Sequence, residues 1–174
     1  MKKLKYILLS LLVLPLFLLS SCGGESFYSN FKSLGATIEE KNCFEEVTLD
    51  QAVNKINAKE SFVLLIVSSK KSASASAVTA IQFDADNTNY DGKVLVLDVK
   101  SPTAEEGHNI ETKLQIKAHS DSNGFVAVGY KNGTQIFDTS KDDANSDVFR
   151  TTSSSINIHA VFTYIAEGTI SKTE

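Results

Sequence analysis

An α/β domain is predicted for this chain, and three stretches carry the prediction. Phe62-Val63-Leu64-Leu65-Ile66-Val67 is an unbroken apolar run, the pattern of a strand covered on both faces. The serine- and alanine-rich segment behind it leads into Ala77-Val78-Thr79-Ala80-Ile81, which reads as a helix. A second run of the same kind, Lys93 to Val99, follows that helix. Farther on, Asn132-Gly133 separates two apolar segments, and both residues tolerate the positive φ that a two-residue hairpin turn requires.

The first 21 residues lie outside that domain. Lys2, Lys3 and Lys5 make a positive start, and Ile7 to Leu19 is an apolar stretch of 13 residues. That is short of the roughly 20 residues that cross a bilayer and suits the apolar part of a secretory signal. Leu19-Ser20-Ser21-Cys22-Gly23 comes next, and it resembles a bacterial lipobox. The resemblance implies cleavage before Cys22, diacylation of that cysteine, and anchorage by lipid at the extracytoplasmic face of the cell membrane. An ordinary signal peptide with an incidental cysteine is the alternative. Residues 22–42 then form the lipidated cysteine and a tether. Gly23 to about Lys41 carries Gly-Gly, serines and charges, with Phe27, Tyr28, Phe31, Leu34 and Ile38 scattered among them. A mostly flexible spacer is expected there, and a short docking helix is the other reading.

Residues 43–174 make the domain. Cys43 to Val47 alternates weakly, as a short edge strand does. Thr48 or Asp50 caps a helix in which Leu49, Ala52, Val53 and Ile56 share one face. The central strand begins near Phe62, and Ser68 to Ser76 is expected as a loop capping the next helix, where Val78, Ile81 and Ala85 form one stripe. After the strand at Lys93 to Val99, Ser101 is an N-cap candidate with Pro102 at the first helical position and Glu105 and Glu106 in the first turns. Ile110, Leu114 and Ile116 continue that helix, with an interruption possible at Gly107. Ala118 to Gly124 is a polar loop, Phe125 to Tyr130 and Thr134 to Phe137 are the hairpin strands, and residues 138–152 are loop-like. Ser153 to Ser155 caps a last helix with Ile156, Ile158, Val161, Phe162 and Ile165.

Cleavage before Cys22 leaves 153 of the 174 residues, and without Lys2, Lys3 and Lys5 there are 14 basic against 21 acidic residues, a formal charge of −7. Such a balance argues against a nucleic-acid partner and against electrostatic binding of the domain's body to an anionic bilayer. With Cys22 acylated, Cys43 is the one remaining thiol, so an intramolecular disulfide is excluded.

The element order and several motifs resemble the thioredoxin family over about Cys43 to Glu167. The hydrophobic strand running into a loop and long helix is one feature. Lys113-Leu114-Gln115-Ile116-Lys117 resembles the family's K-Y-G-I-R segment, and Tyr130-Lys131-Asn132-Gly133 resembles its F-K-N-G hairpin. The resemblance implies a three-layer α/β/α sandwich around a central mixed sheet of about four to five strands. It also implies a redox site, a Cys-x-x-Cys at the helix N-terminus, whose positions fall near Ala73 and Ser76. A serine hydroxyl cannot replace a thiolate in disulfide exchange. The family's proline before the hairpin is absent as well, with about five extra residues within Ala118 to Gly124. A fold retained without its dithiol chemistry is the reading that follows.

No cofactor is expected. His108, His119 and His159 match no metal-ligand spacing, so no metal is expected either. No Gly-x-Ser-x-Gly elbow or phosphate-binding glycine loop occurs. Glu105/Glu106 and Asp142/Asp143 read as solvated charges. The expected function is binding of a peptide or protein partner at the membrane surface; thiol-disulfide chemistry through Cys43 alone is the alternative. In a thioredoxin-like fold the loop after the central strand lies beside the loop before the hairpin. That juxtaposition makes Lys70, Lys71, Ser72, Ser74, Ser76, Lys117, His119 and Asp121 the candidate binding edge.

Overall fold

The computed structural model describes residues 26–87, 93–120, 124–141, 150–152 and 155–156. The described chain runs α1 (Phe27–Ser33), β1 (Phe44–Glu46), α2 (Leu49–Asn57), β2 (Phe62–Val67), α3 (Ser72–Asn87), β3 (Val94–Asp98), α4 (Ala104–Leu114), β4 (Phe125–Lys131), β5 (Thr134–Asp138), β6 (Arg150–Thr152) and β7 (Ser155–Ile156). Five strands form one mixed sheet in the order β1-β3-β2-β4-β5. β1, β3 and β2 are parallel, whereas β4 runs antiparallel to β2 and β5 antiparallel to β4. This is the expected α/β architecture, compatible with a thioredoxin-like sandwich.

The apolar run at Phe62 to Val67 is buried at every position because β2 is covered on both faces. Successive side chains leave a strand on opposite sides. Val63, Leu65 and Val67 therefore pack with Phe27, Phe31, Val78 and Ile81 of α1 and α3, whereas Phe62, Leu64 and Ile66 pack with Ala52, Ile110 and Leu114 of α2 and α4. Two helical layers thus enclose the sheet. Among the described residues no helix is long and apolar enough to cross a membrane.

Local signals set most boundaries. Thr48, rather than Asp50, caps α2, because Gln51 three residues on completes a reciprocal capping box. Asn132 (φ 52°) and Gly133 (φ 73°) both sit in the left-handed region, so the hairpin turns as its sequence predicts.

Four expectations are corrected. Residues 27–42 are not a spacer: α1 is capped by Ser26, and Phe27, Phe31, Ala36 and Ile38 are buried in the core, as the docking-helix alternative has it. The loop after β2 ends at Lys71, and Ser72, Ser74 and Ser76 belong to α3. The alternating alanines favour helix there, and Ser74 accepts a bond from the Ser68 amide. The N-cap of α4 is Thr103, not Ser101, since Glu106 closes a capping box with Thr103, and the helix passes through Gly107 without interruption. Ser155–Ile156 pairs antiparallel with Arg150–Thr152 instead of opening a helix. The remaining apolar positions of that expected helix, Ile158, Val161, Phe162 and Ile165, lie outside the described residues, as does residues 1–25 with Cys22.

Candidate functional site

β2 feeds α3 on one face of the sheet, and β3 feeds α4 on the other. Where neighbouring parallel strands send their connections to opposite faces, a crevice opens beyond their carboxyl ends. Here it is a cleft of about 250 Å³ lined by Ser68, Lys70 and Lys71 from the β2–α3 loop, Lys100, Ser101 and Pro102 from the β3–α4 loop, and His119, Ser120 and Gly124 from the segment before β4.

The floor is held by hydrogen bonds. Ser74, fully buried, accepts the Ser68 amide at 3.1 Å and donates to the Gly124 carbonyl. Gly124 has φ +81°, and a Cβ there would stand 2.5 Å from the Ala73 Cβ and 2.7 Å from the Ser74 nitrogen, so only glycine fits against the start of α3. Ser68 Oγ donates to the Lys100 carbonyl at 3.0 Å, and Asp98 Oδ1 accepts the Ser69 amide at 2.8 Å. These bonds tie all three loops together.

His119 is fixed by α4. Its Nδ1 lies 2.7 Å from Glu111 Oε1, and its own amide donates to the same oxygen at 3.3 Å. The chain can double back to make this contact because Gln115, the C-cap of α4, adopts a left-handed conformation. The imidazole rests against Gly107, where a Cβ would meet His119 Cε1 at 2.6 Å. Hydrogen bonding from His119 holds the Glu111 carboxyl below its ordinary value. An ionised Glu111 accepts the Nδ1 hydrogen and leaves Nε2 as the other ring nitrogen.

Of the predicted edge, the fold brings Lys70, Lys71 and His119 together around the cleft. Ser74 is spent on structure. Ser72 and Ser76 are exposed on α3, outside the cleft lining. Lys117 is exposed and also lies outside the lining, its amide donating to buried Asp138 at 3.1 Å. Asp121 lies outside the described residues.

Lys100, Ser101 and Glu111 were not anticipated. For Lys100 and Ser101 a signal was present, because they directly follow a buried parallel strand. Glu111 gave none, since its pairing depends on the reversal at Gln115.

The rim therefore gathers three lysines and a histidine, with hydroxyls from Ser68, Ser101 and Ser120, and carries no thiol. Cys43 sits at the other end of the sheet, its carbonyl accepting from Val94 at the start of β3 and its amide donating to Gln82. Burial pushes its thiol up to about 12. Among the described residues, no group of three or more His, Cys, Asp or Glu side chains is placed to hold a metal ion. No protein-family model matches the chain, and no curated protein matches it.

Proposed function

We propose that this chain is a lipid-anchored extracytoplasmic protein whose thioredoxin-like domain performs no dithiol chemistry and binds an acidic peptide segment of a partner. The carrying observation is the cleft rim of Lys70, Lys71, Lys100 and His119 at the carboxyl ends of β2 and β3. It is a basic patch on a chain whose formal charge after cleavage before Cys22 is −7, from 14 basic and 21 acidic residues. Ammonium groups around a hydroxyl-lined crevice attract carboxylates, and their long side chains adapt to an extended ligand. The lipobox-like Leu19 to Cys22 supports the address. Redox action through Cys43 gains no support from a buried thiol at the opposite end of the sheet, whose thiolate is suppressed at neutral pH.

Two measurements test the reading. Cys22→Ser should abolish palmitate incorporation; undiminished labelling removes the lipid anchor. Fluorescein-labelled peptides graded in Asp and Glu content should bind the soluble domain more tightly as acidity rises, and more weakly as salt is added. Lys70→Glu/Lys71→Glu should leave the circular dichroism unchanged and weaken binding at least tenfold. Unaltered binding by that double variant removes the cleft from the function.

A further inference from the structure

Ser26, the residue that follows the segment leading from Cys22, lies at the opposite pole of the domain from the cleft. Ser26, the N-cap of α1, borders a shallow surface shared with Tyr28, Glu40, Lys41, Asn42, Phe44, Glu46 and Lys93. Of those residues, Phe44 opens β1 and Lys93 immediately precedes β3. Phe27 agrees with the placement, packing at a tilt against Phe44 at the first position of β1 with ring centroids 5.2 Å apart. Lys93 Nζ bonds the Asn42 carbonyl across the same end. The cleft lies beyond the last residues of β2 and β3, a strand length of about 17 Å away.

The tether is short. Four residue steps separate Cys22 from Ser26, and an extended chain covers at most about 14 Å over that length. The core begins at once, because Phe27 and Phe31 are buried.

We infer that the outer leaflet of the bilayer contacts the pole formed by Ser26, Tyr28, Lys41 and Lys93, and that the basic cleft faces away from the membrane. This rests on the lipoprotein reading above. The short tether, not charge, sets this contact, because Glu40 and Glu46 share the surface with Lys41; Tyr28 suits the headgroup region, where an aromatic ring sits half in water. The acidic peptide captured by the cleft then comes from the extracytoplasmic space, or from a partner projecting above the bilayer, and not from a segment lying on the lipid.

The test uses the full-length acylated protein in vesicles of phosphatidylethanolamine and phosphatidylglycerol that contain a headgroup-nitroxide lipid. In a Cys43→Ala background, Lys41→Cys or Ser101→Cys receives a fluorophore; both positions are exposed. Quenching at position 41 should exceed that at position 101 at least threefold. A second pair, Glu40→Cys and Lys70→Cys, should repeat the ratio and guards against a local disturbance at either first site. Equal quenching at the two poles, or stronger quenching at the cleft, overturns the orientation. Palmitate labelling of the same preparations separates the two levels. Labelled protein with equal quenching refutes the orientation alone, whereas unlabelled protein refutes the lipid anchor and the orientation with it.

Discussion

Gly107→Ala should change sign with the residue at position 119. In an ordinary helix interior alanine is more stable than glycine by about 0.5–1 kcal/mol. Here the new Cβ stands 2.6 Å from His119 Cε1 and 3.0 Å from Nδ1, whereas ordinary contact begins at 3.4 Å. The ring must move by nearly an ångström, which breaks its 2.7 Å contact with Glu111. A hydrogen bond to a charged group contributes about 1.5–3 kcal/mol when sheltered. Both side chains keep about a quarter of their surface in water, which reduces that to about 1–2 kcal/mol. Crowding adds about 1 kcal/mol. Net of the helix gain, Gly107→Ala should destabilise the native sequence by about 1–2.5 kcal/mol. With His119→Ala already present, the obstacle is gone and the same change should stabilise by about 0.5–1 kcal/mol. Urea denaturation followed by far-ultraviolet circular dichroism, on the soluble chain from Gly23, measures all four members of the cycle. Stabilisation of equal size in both backgrounds refutes the account of Gly107 as the seat of the imidazole.

Three further outcomes follow from the same geometry. Ser74→Ala should cost about 1–3 kcal/mol by stranding the buried Gly124 carbonyl, while Ser72→Ala and Ser76→Ala should stay within about 0.5 kcal/mol; equal effects at the three serines contradict the assignment of Ser74 to the floor. Cys43 should resist Ellman's reagent at pH 8 in the native state and react fully in denaturant, and rapid native reaction counts against its burial. Its thiol titrates at 9.0 ordinarily and at about 12 when folded, so the unfolded chain loses the proton first and this group's contribution to stability declines from pH 9 towards 12. Glu111 behaves oppositely. Its carboxyl is held below the ordinary 4.5, so its contribution is present above that value and is lost as pH falls through the lower folded one. Glu111→Gln should flatten the acid limb of the stability profile, and an unchanged limb speaks against the His119 contact.

The elements that sequence made plain are those whose signals are local. An unbroken apolar run has no solvent face, so Phe62 to Val67 had to be interior strand. Asn132-Gly133 carries its own turn geometry. The cap of α4 was misplaced because Ser101-Pro102 offers an equally good local pattern two residues earlier, and only the Glu106 carboxylate reaching back to Thr103 decides between them. α1 stands only as the alternative reading of its segment, for a different reason. Seven residues are too few to show a period, and Phe27 and Phe31 are apolar islands among polar neighbours whose meaning comes from Phe44 and α3. The site divides along the same line. Topology brings Lys70, Lys71 and His119 to one crevice, and the strand-end rule extends to Lys100. The tie between His119 and Glu111 spans the end of a helix, and no spacing rule encodes it.

The position of β2 at the centre of the sheet also governs how the chain must assemble. Both of its neighbours arrive from later in the sequence: Leu64 pairs with Leu95, and Leu65 with Ala127. During synthesis from the N-terminus, the most apolar strand is therefore complete well before either flank can be covered. A chain ending ahead of Phe125 retains β1, β3 and β2 but leaves β2 as an open edge, with its backbone donors and acceptors bare along six apolar residues. Such an edge is a template for pairing with a second chain. Closure by β4 joins strands separated in sequence by α3, β3 and α4, and a contact of such separation forms slowly. Assembly thus turns on one late, non-local event, and truncations on either side of β4 should separate soluble chains from aggregating ones.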